Sequence, residues 1–359
     1  MIFFRADGNS DIGSGHIMRC LSIADAGSIE NHQSLFITAD KSFNCTIKNR
    51  GYENIVLNSD YKKLFLDLPL IEKLIVEYCP SAFFVDSYYV SKDYLFRLRV
   101  LCQKNKCQLV YIDDILAFPY SCDILLNYNI YGDDKRNIYK NMYKLNKETV
   151  PRMLLGSSYA PLRKEFDNLP RRKVKKFVKD VLISTGGSDS EHIALKLAKY
   201  IVKNNEKLFV YHFHFIIGTM NNDKIIIEKL VKNTSNITLH ADVRFMSVLM
   251  QQSDLAISAA GSTLYELCAA QTPTITYILA DNQIMGAEGF VSRDVMQCVG
   301  DARELGDSLP EKLISAMLNL AERYEKRVRI SQLQRKIVDG KGAHRIIEEI
   351  SFRKSESIK

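Results

Sequence analysis

The 359-residue sequence predicts an α/β protein made of two doubly wound domains. Short apolar runs alternate with stretches whose apolar residues recur at helical spacing, and the middle runs are apolar almost throughout, as parallel-sheet strands are. A basic, proline-bearing stretch then interrupts the alternation, which restarts beyond it. At roughly 150 residues per domain, the length allows two.

Residues 2–6 read as a buried strand, and Leu21, Ile23, Ala24 and Ala26 continue as a helix. Strands follow at 33–39, 54–57, 82–86, 109–113 and 122–127, with helical stretches at 63–77 and 91–104. From 128 to 150 the sequence is polar, rich in Asn and Tyr, and carries no clear period. Leu169 to Lys179 reads as a solvated basic linker, also suited to weak contact with an acidic membrane surface. The second half opens with a strand from Asp180 into a glycine turn and a helix near Ser190, then strands at 208–217, 237–240, 255–258, 274–278 and 295–299. From Glu311 onward a charged helical region packs across the domains, and 352–359 frays. The expected division is 1–168, a linker at 169–179, a second domain at 180–345, and a helix end and tail at 346–359.

Composition narrows the class. Hydrophobic residues make up 46% and charged residues 25%, ordinary for a soluble chain. No apolar run approaches the ~18 residues of a membrane span, and Arg5 and Asp7 interrupt the start too early for a secretory signal, so a cytoplasmic protein is expected. Eight cysteines with no Cys-x-x-Cys pair read as reduced thiols. A net charge of +7 favours an anionic ligand but lacks the aromatic-interleaved basic face of a nucleic-acid binder. A monomer is expected.

The candidate chemistry sits where strands end. After the first strand, Gly13 and Gly15 form a Gly-x-Gly turn ending in His16, so a ligand can approach the backbone at a helix start. Met18 occupies the place of the third glycine of a dinucleotide fingerprint, which argues against a nicotinamide or flavin site, and no cofactor is expected. Asp86, Tyr88 and Asp113 follow parallel strands and are site candidates, whereas Asp114 reads as a helix cap. His212 and His214 share one face of a strand but lack a third ligand at any obvious spacing, and Asp133 and Asp134 fall in a polar loop, so no metal is predicted. In the second half, Gly186 and Gly187 form a glycine turn. Gly261, Ser262 and Thr263 open a helix suited to a phosphate, and Glu266 either accepts from a ribose diol or closes a capping box with Thr263. Asn282 and Gln283 end a buried strand in a cluster suited to sugar hydroxyls.

Two nucleotide-fold halves, a catalytic-looking first loop and a phosphate seat in the second half resemble the GT-B architecture, with two Rossmann-like domains facing each other across a cleft. Arg5-Ala6-Asp7 followed by Ile12-Gly13-Ser14-Gly15-His16-Ile17-Met18-Arg19-Cys20 is similar to the family of UDP-2,4-diacetamido-2,4,6-trideoxy-beta-L-altropyranose hydrolase, an enzyme of pseudaminic acid synthesis. The similarity recurs at Tyr111-Ile112-Asp113-Asp114, Cys122 to Asn127, Leu154-Leu155-Gly156, Tyr159 to Arg163, Thr185 to Asp189, Gly261-Ser262-Thr263 with Glu266-Leu267-Cys268, and Ala280-Asp281-Asn282-Gln283. Ala260 stands where relatives commonly have glycine. The resemblance implies that His16 acts as base on water, that Tyr88 and Asn282 line the sugar site, and that Glu266 holds the nucleotide. With them go Asp7, Gly13, Gly15, Arg19, Arg163 and Gln283 toward the substrate, and Gly186, Gly187, Gly261, Ser262 and Thr263 toward UDP. The implied reaction releases UDP and the free sugar with inversion. Competing readings are a GT-B glycosyltransferase with a UDP-sugar donor and a lipid-linked acceptor, and an inert nucleotide-sugar binder.

Overall fold

A computed structural model describes residues 1–9, 11–187, 189–218, 221–241 and 243–356, with side chains up to 350. The chain divides into two compact units, Met1–Lys164 with Lys341–Lys359, and Glu165–Gly340.

The first unit holds a parallel sheet of seven strands: β1 (Ile2–Ala6), β2 (Ser34–Thr38), β3 (Glu53–Val56), β4 (Ala82–Asp86), β5 (Gln108–Ile112), β6 (Ile124–Asn127) and β7 (Arg152–Leu155). Their order is β3-β2-β1-β4-β5-β6-β7, so the winding reverses between β1 and β4. In such sheets ligands sit at the carboxyl ends of the strands flanking the reversal. Aromatic residues lock that centre. Phe4 on β1 stacks on Phe36 of β2 at 5.0 Å and on Phe84 of β4 at 4.9 Å, each pair being directly opposite in the register. Phe3 meets Phe83 edge-on across the other face.

The second unit repeats the scheme with β8 (Asp180–Ser184), β9 (His212–Ile217), β10 (Ile237–Ala241), β11 (Leu255–Ala259), β12 (Thr274–Ile278) and β13 (Met296–Asp301). Its order is β10-β9-β8-β11-β12-β13, also parallel, with the reversal between β8 and β11. Val181, Ile183, Phe213, Phe215, Ile257 and Ile275 bury one sheet face beneath Leu309–Glu322 and Ile193–Lys203.

Several expected elements shift. Within 128–150 lies a helix, Arg136–Leu145, whose Tyr139 and Tyr143 are buried and hydrogen-bonded. Tyrosine hides such a face, because its polar hydroxyl blurs the apolar period. The helical stretch from 63 divides into a 3-10 turn, Leu64–Asp67, and a helix, Leu68–Tyr78, with Pro69 in its first turn. The strand expected from 208 begins at His212, after a helical turn at Asn205–Leu208. The chain's last helix, Gly342–Glu356, belongs to the first unit, so a second domain reaching 345 does not describe it. There Ile346 and Ile347 are buried, and Ile347 faces Gly27 of the helix Gly15–Ile29. Of the tail expected to fray, 357–359 lie outside the described residues. The basic stretch is not a freely solvated linker. Arg172 donates to the carbonyls of Met250 and Ser253 at 2.7 and 2.6 Å, because those chain ends would otherwise leave acceptors unmet.

Candidate active site

The carboxyl ends of β1 and β4 build one buried cluster. After β1 the chain makes a tight loop in which Asn9 Oδ1 accepts the amides of Asp11 and Ile12, at 2.9 and 3.1 Å. Gly13 closes it at φ +72°, a conformation that suits only glycine without cost. The helix Gly15–Ile29 then starts, and Ser14 caps it with no side-chain bond. A Cβ at Gly15 would meet no protein atom within 4 Å, so open space adjoins the helix start.

His16 lies in that first turn and is 5% exposed. Its Nδ1 stands 2.6 Å from Asp86 Oδ1, at the end of β4. Burial alone would raise the Asp86 pKa, but Arg19 and His16 outweigh it and hold the carboxyl well below the usual carboxylate range. An ionised carboxylate only accepts, so the hydrogen of that bond sits on Nδ1, and Nε2 is the ring nitrogen left to face another group. The Tyr88 ring meets the imidazole edge-on at 4.6 Å.

Arg19, one helical turn beyond, explains why the carboxylate is fixed. Its Nε and Nη2 donate to Asp86 Oδ2 and Oδ1, both at 2.5 Å, a bidentate fork. Its Nη1 donates to Asp114 Oδ2 at 2.7 Å and to Tyr128 Oη at 2.9 Å. Burial disfavours the charged guanidinium, yet Asp114 and Asp86 keep its pKa well above the ordinary arginine value. Asp114 also accepts from Tyr88 Oη at 3.3 Å and from Asn129 Nδ2 at 2.9 Å.

The predicted residues sort as follows. His16, Arg19, Asp86 and Tyr88 come together, but Arg19 spends its donors on Asp86, Asp114 and Tyr128 and supports the histidine from behind. Asp114, read as a helix cap, is a member of this cluster instead. Asp7 is 5% exposed and engaged: Arg5 Nη1 donates to its Oδ2 at 2.5 Å and the Ala39 amide to its Oδ1 at 2.6 Å. Asp113 is wholly buried and accepts from the Tyr120 and Tyr139 hydroxyls and the Ile115 and Leu116 amides, which braces the loop after β5. Tyr128 and Asn129 went unnoticed, being polar residues in an aperiodic stretch. Arg163 is half-buried near the end of the first unit's first segment.

In the second unit, the loops after β8 and β11 flank the reversal. Gly186, at φ +91°, and Gly187 are exposed after β8. Ser188, between them and Asp189, lies outside the described residues. The buried Asp189 accepts the Ile193 and Ala194 amides at 3.0 and 2.9 Å, so a protein carboxylate already fills that helix start. After β11 the Gly261 amide donates to Ala259 O at 2.8 Å, which leaves Ser262 and Thr263 to offer N–H groups. No protein atom lies within 4 Å of a Cβ placed on Gly261. The helix there is Thr263–Ala269, with Ser262 at its cap position and no side-chain cap bond from it. Glu266 is half-buried one turn in. Asn282 is exposed in the turn Asp281–Gln283, while Gln283 Oε1 accepts the Leu279 amide at 2.9 Å and holds that turn together. His214 meets a third imidazole across the sheet: its Nδ1 lies 3.0 Å from His240 Nε2. Among the described residues no group of three or more His, Cys, Asp or Glu side chains is placed to hold a metal ion.

Known proteins resemble the chain in sequence and in fold. Residues 181–340 match the glycosyltransferase family 28 C-terminal domain. That stretch makes up most of the second unit, Glu165–Gly340. The chain is 26% identical over 280 residues to the UDP-2,4-diacetamido-2,4,6-trideoxy-beta-L-altropyranose hydrolase of Campylobacter jejuni, covering 77% of this chain and 92% of that one. It is 24% identical over 290 residues to the uncharacterized protein MJ1062 of Methanocaldococcus jannaschii, of which the match spans only about half, 55%. Among solved structures, MurG of Acinetobacter baumannii superposes with a TM-score of 0.64 at 12% identity, over 97% of this chain and 98% of that one. The fold is therefore that of the GT-B proteins. No helix among the described residues is long and apolar enough to cross a membrane.

Proposed function

We propose that this chain hydrolyses a UDP-linked 2,4-diacetamido-2,4,6-trideoxy hexose at the anomeric carbon, releasing UDP and the free sugar. The observation that carries the reading is the 2.6 Å bond from His16 Nδ1 to the ionised Asp86, which orients the imidazole and leaves Nε2 as the nitrogen to serve as base. A base in that state takes a proton from water as the oxygen attacks the anomeric carbon. The bond to the diphosphate oxygen breaks, and UDP leaves with the electron pair. The proton ends on His16, where Asp86 stabilises the imidazolium. General bases contribute about 100-fold to 10,000-fold. Donors facing the departing diphosphate supply the rest, a role that falls to the Ser262 and Thr263 amides, with Gly261 admitting the phosphates.

Glu266, half-buried one turn into the helix that opens at Thr263, is assigned to the ribose. Asn282 and Tyr88 are assigned to the sugar, with Arg163 and Gln283 in support. Gly186 and Gly187 are assigned to the nucleotide. Attack opposite the leaving group inverts the anomeric centre. The likeness to the Campylobacter hydrolase supports this choice of substrate, and pseudaminic acid synthesis is the corresponding setting, in the cytoplasm. The test is UDP release from a panel of UDP-linked diacetamido sugars without any acceptor, with proton NMR of the nascent sugar. Release that requires an added acceptor, or retained configuration, would overturn the proposal.

A further inference from the structure

The basic stretch before β8 is exposed at its tip but firmly held beneath. Arg327, wholly buried, donates to Lys175 O at 2.8 Å and Lys176 O at 2.7 Å, and also to Leu320 O and Ala321 O. Arg172 does the same at the start of the stretch, through Met250 O, Ser253 O and Thr272 Oγ1. These contacts join both guanidinium groups to backbone carbonyls and a hydroxyl. Burial lowers the pKa of each, and the nearby Asp254 carboxylate offsets that cost only in part. What the two arginines hold in place is a strip that ends in Phe177, 80% exposed.

A second apolar tip stands at the same edge of the sheet. The His212 amide donates to Lys179 O at 2.7 Å, so the chains leading into β8 and β9 enter side by side. Just before β9 come Phe209 and Val210, 65% and 54% exposed. Lys173, Lys176, Lys179 and Lys207 are exposed beside these tips, with Lys176 Nζ 5.9 Å from the Phe177 ring centre. Lys175 is spent on Asp254 and Asp180, and Glu206 is an exposed acid within the same segments. This is the amino edge of the sheet, opposite the strand ends that carry Gly186 and Gly261.

We propose that this edge of the second unit docks on an anionic lipid surface. Exposed aromatic and aliphatic tips enter the headgroup boundary, while the surrounding lysines meet lipid phosphates. Charge selects the partner: a neutral apolar protein surface would leave four ammonium groups facing carbon, and a polyanion alone would leave Phe177 and Phe209 without a role. The placement is independent of the hydrolase reading and leaves the strand ends open to a soluble substrate.

The experiment is co-sedimentation of the full chain with phosphatidylglycerol/phosphatidylcholine vesicles and with pure phosphatidylcholine vesicles, at low and high salt. Binding to the anionic vesicles, weakened by salt and absent from the neutral ones, is expected. Each lysine near such a surface contributes about fivefold, the equivalent of about 1 kcal/mol. Lys176→Ala with Lys179→Ala should therefore lower the partition coefficient about 25-fold. Phe177→Ser with Phe209→Ser should weaken it by at least tenfold while keeping the salt dependence. All four side chains are exposed, so circular dichroism and UDP-sugar turnover in solution should match the parent. No sedimentation with anionic vesicles, equal binding to neutral ones, or binding indifferent to the phenylalanine changes would overturn the proposal. The last result would describe a polyanion patch only.

Discussion

Replacing Asp86 by asparagine tests the cluster most directly. The carboxylate is fully buried and accepts from His16 Nδ1 at 2.6 Å and twice from Arg19 at 2.5 Å. Asparagine offers one oxygen, and its NH2 group must face either the Arg19 fork or the imidazole, donor against donor. The guanidinium also loses half of its anionic environment. Removing one partner of a buried ion pair costs about 3–5 kcal/mol. For a unit of this size each kcal/mol lowers the melting temperature by roughly 2–4 °C, so the first unit should melt about 6–20 °C earlier by calorimetry. Below that transition the folded variant should turn over UDP-sugar at least 100-fold more slowly, because the imidazole tautomer is no longer set. Its pH–rate profile should also move. A variant that melts within about 1 °C of the parent and keeps its rate would show that Asp86 neither holds the cluster nor orients His16.

Three further outcomes follow from the same structure. His16→Ala should reduce UDP release by about 100-fold to 10,000-fold with UDP affinity unchanged, measured by steady-state kinetics and calorimetric titration; an intact rate would place the base elsewhere. Gly342→Ala should destabilise the first unit by at least 1–3 kcal/mol, roughly the cost of overpacking, since its Cβ would fall 2.2 Å from Ala160 O; a denaturant midpoint equal to the parent's would refute that close approach. Burial and His214 lower the pKa values of His212 and His240, with Lys179 adding to the effect on His212 and Asp180 opposing it. The unfolded chain then binds more protons just below pH ~6.5, so the second unit should be fully stable above that pH and lose stability as pH falls beneath it. His240→Gln should flatten the slope of melting temperature against pH between about 5 and 7.

How much could be read without coordinates depended on whether periodicity or pairing carried the information. The strands 82–86 and 274–278 were legible to the residue, since an apolar run between turn formers has one reading. The helix Arg136–Leu145 was not, because its buried face is made of tyrosines. In the candidate site, the Gly-x-Gly-His turn announced itself, and Asp86 and Tyr88 followed from their place after a strand. What a linear reading could not give was the allegiance of each charge. Asp7 and Asp113 look as available as Asp86, yet Arg5 and two tyrosine hydroxyls occupy them. Arg19 looked like a hand for the substrate and turned out to grip Asp86 and Asp114. Arg19 and Asp86 lie 67 positions apart, and only the strand order brings them together. His240 is another example, a neighbour of His214 through the β9–β10 pairing alone.

The return of the last helix, Gly342–Glu356, to the first unit has a bearing on how the molecule is born. A ribosome delivers every residue of the inner unit, 165–340, before it delivers the piece that covers Gly27 in the outer one. The later-coded half can therefore mature during translation while the earlier-coded half waits, its first helix still bare along one side. Any nascent-chain factor guarding this protein has its task on residues 1–164 until the codons for Gly342–Glu356 are read.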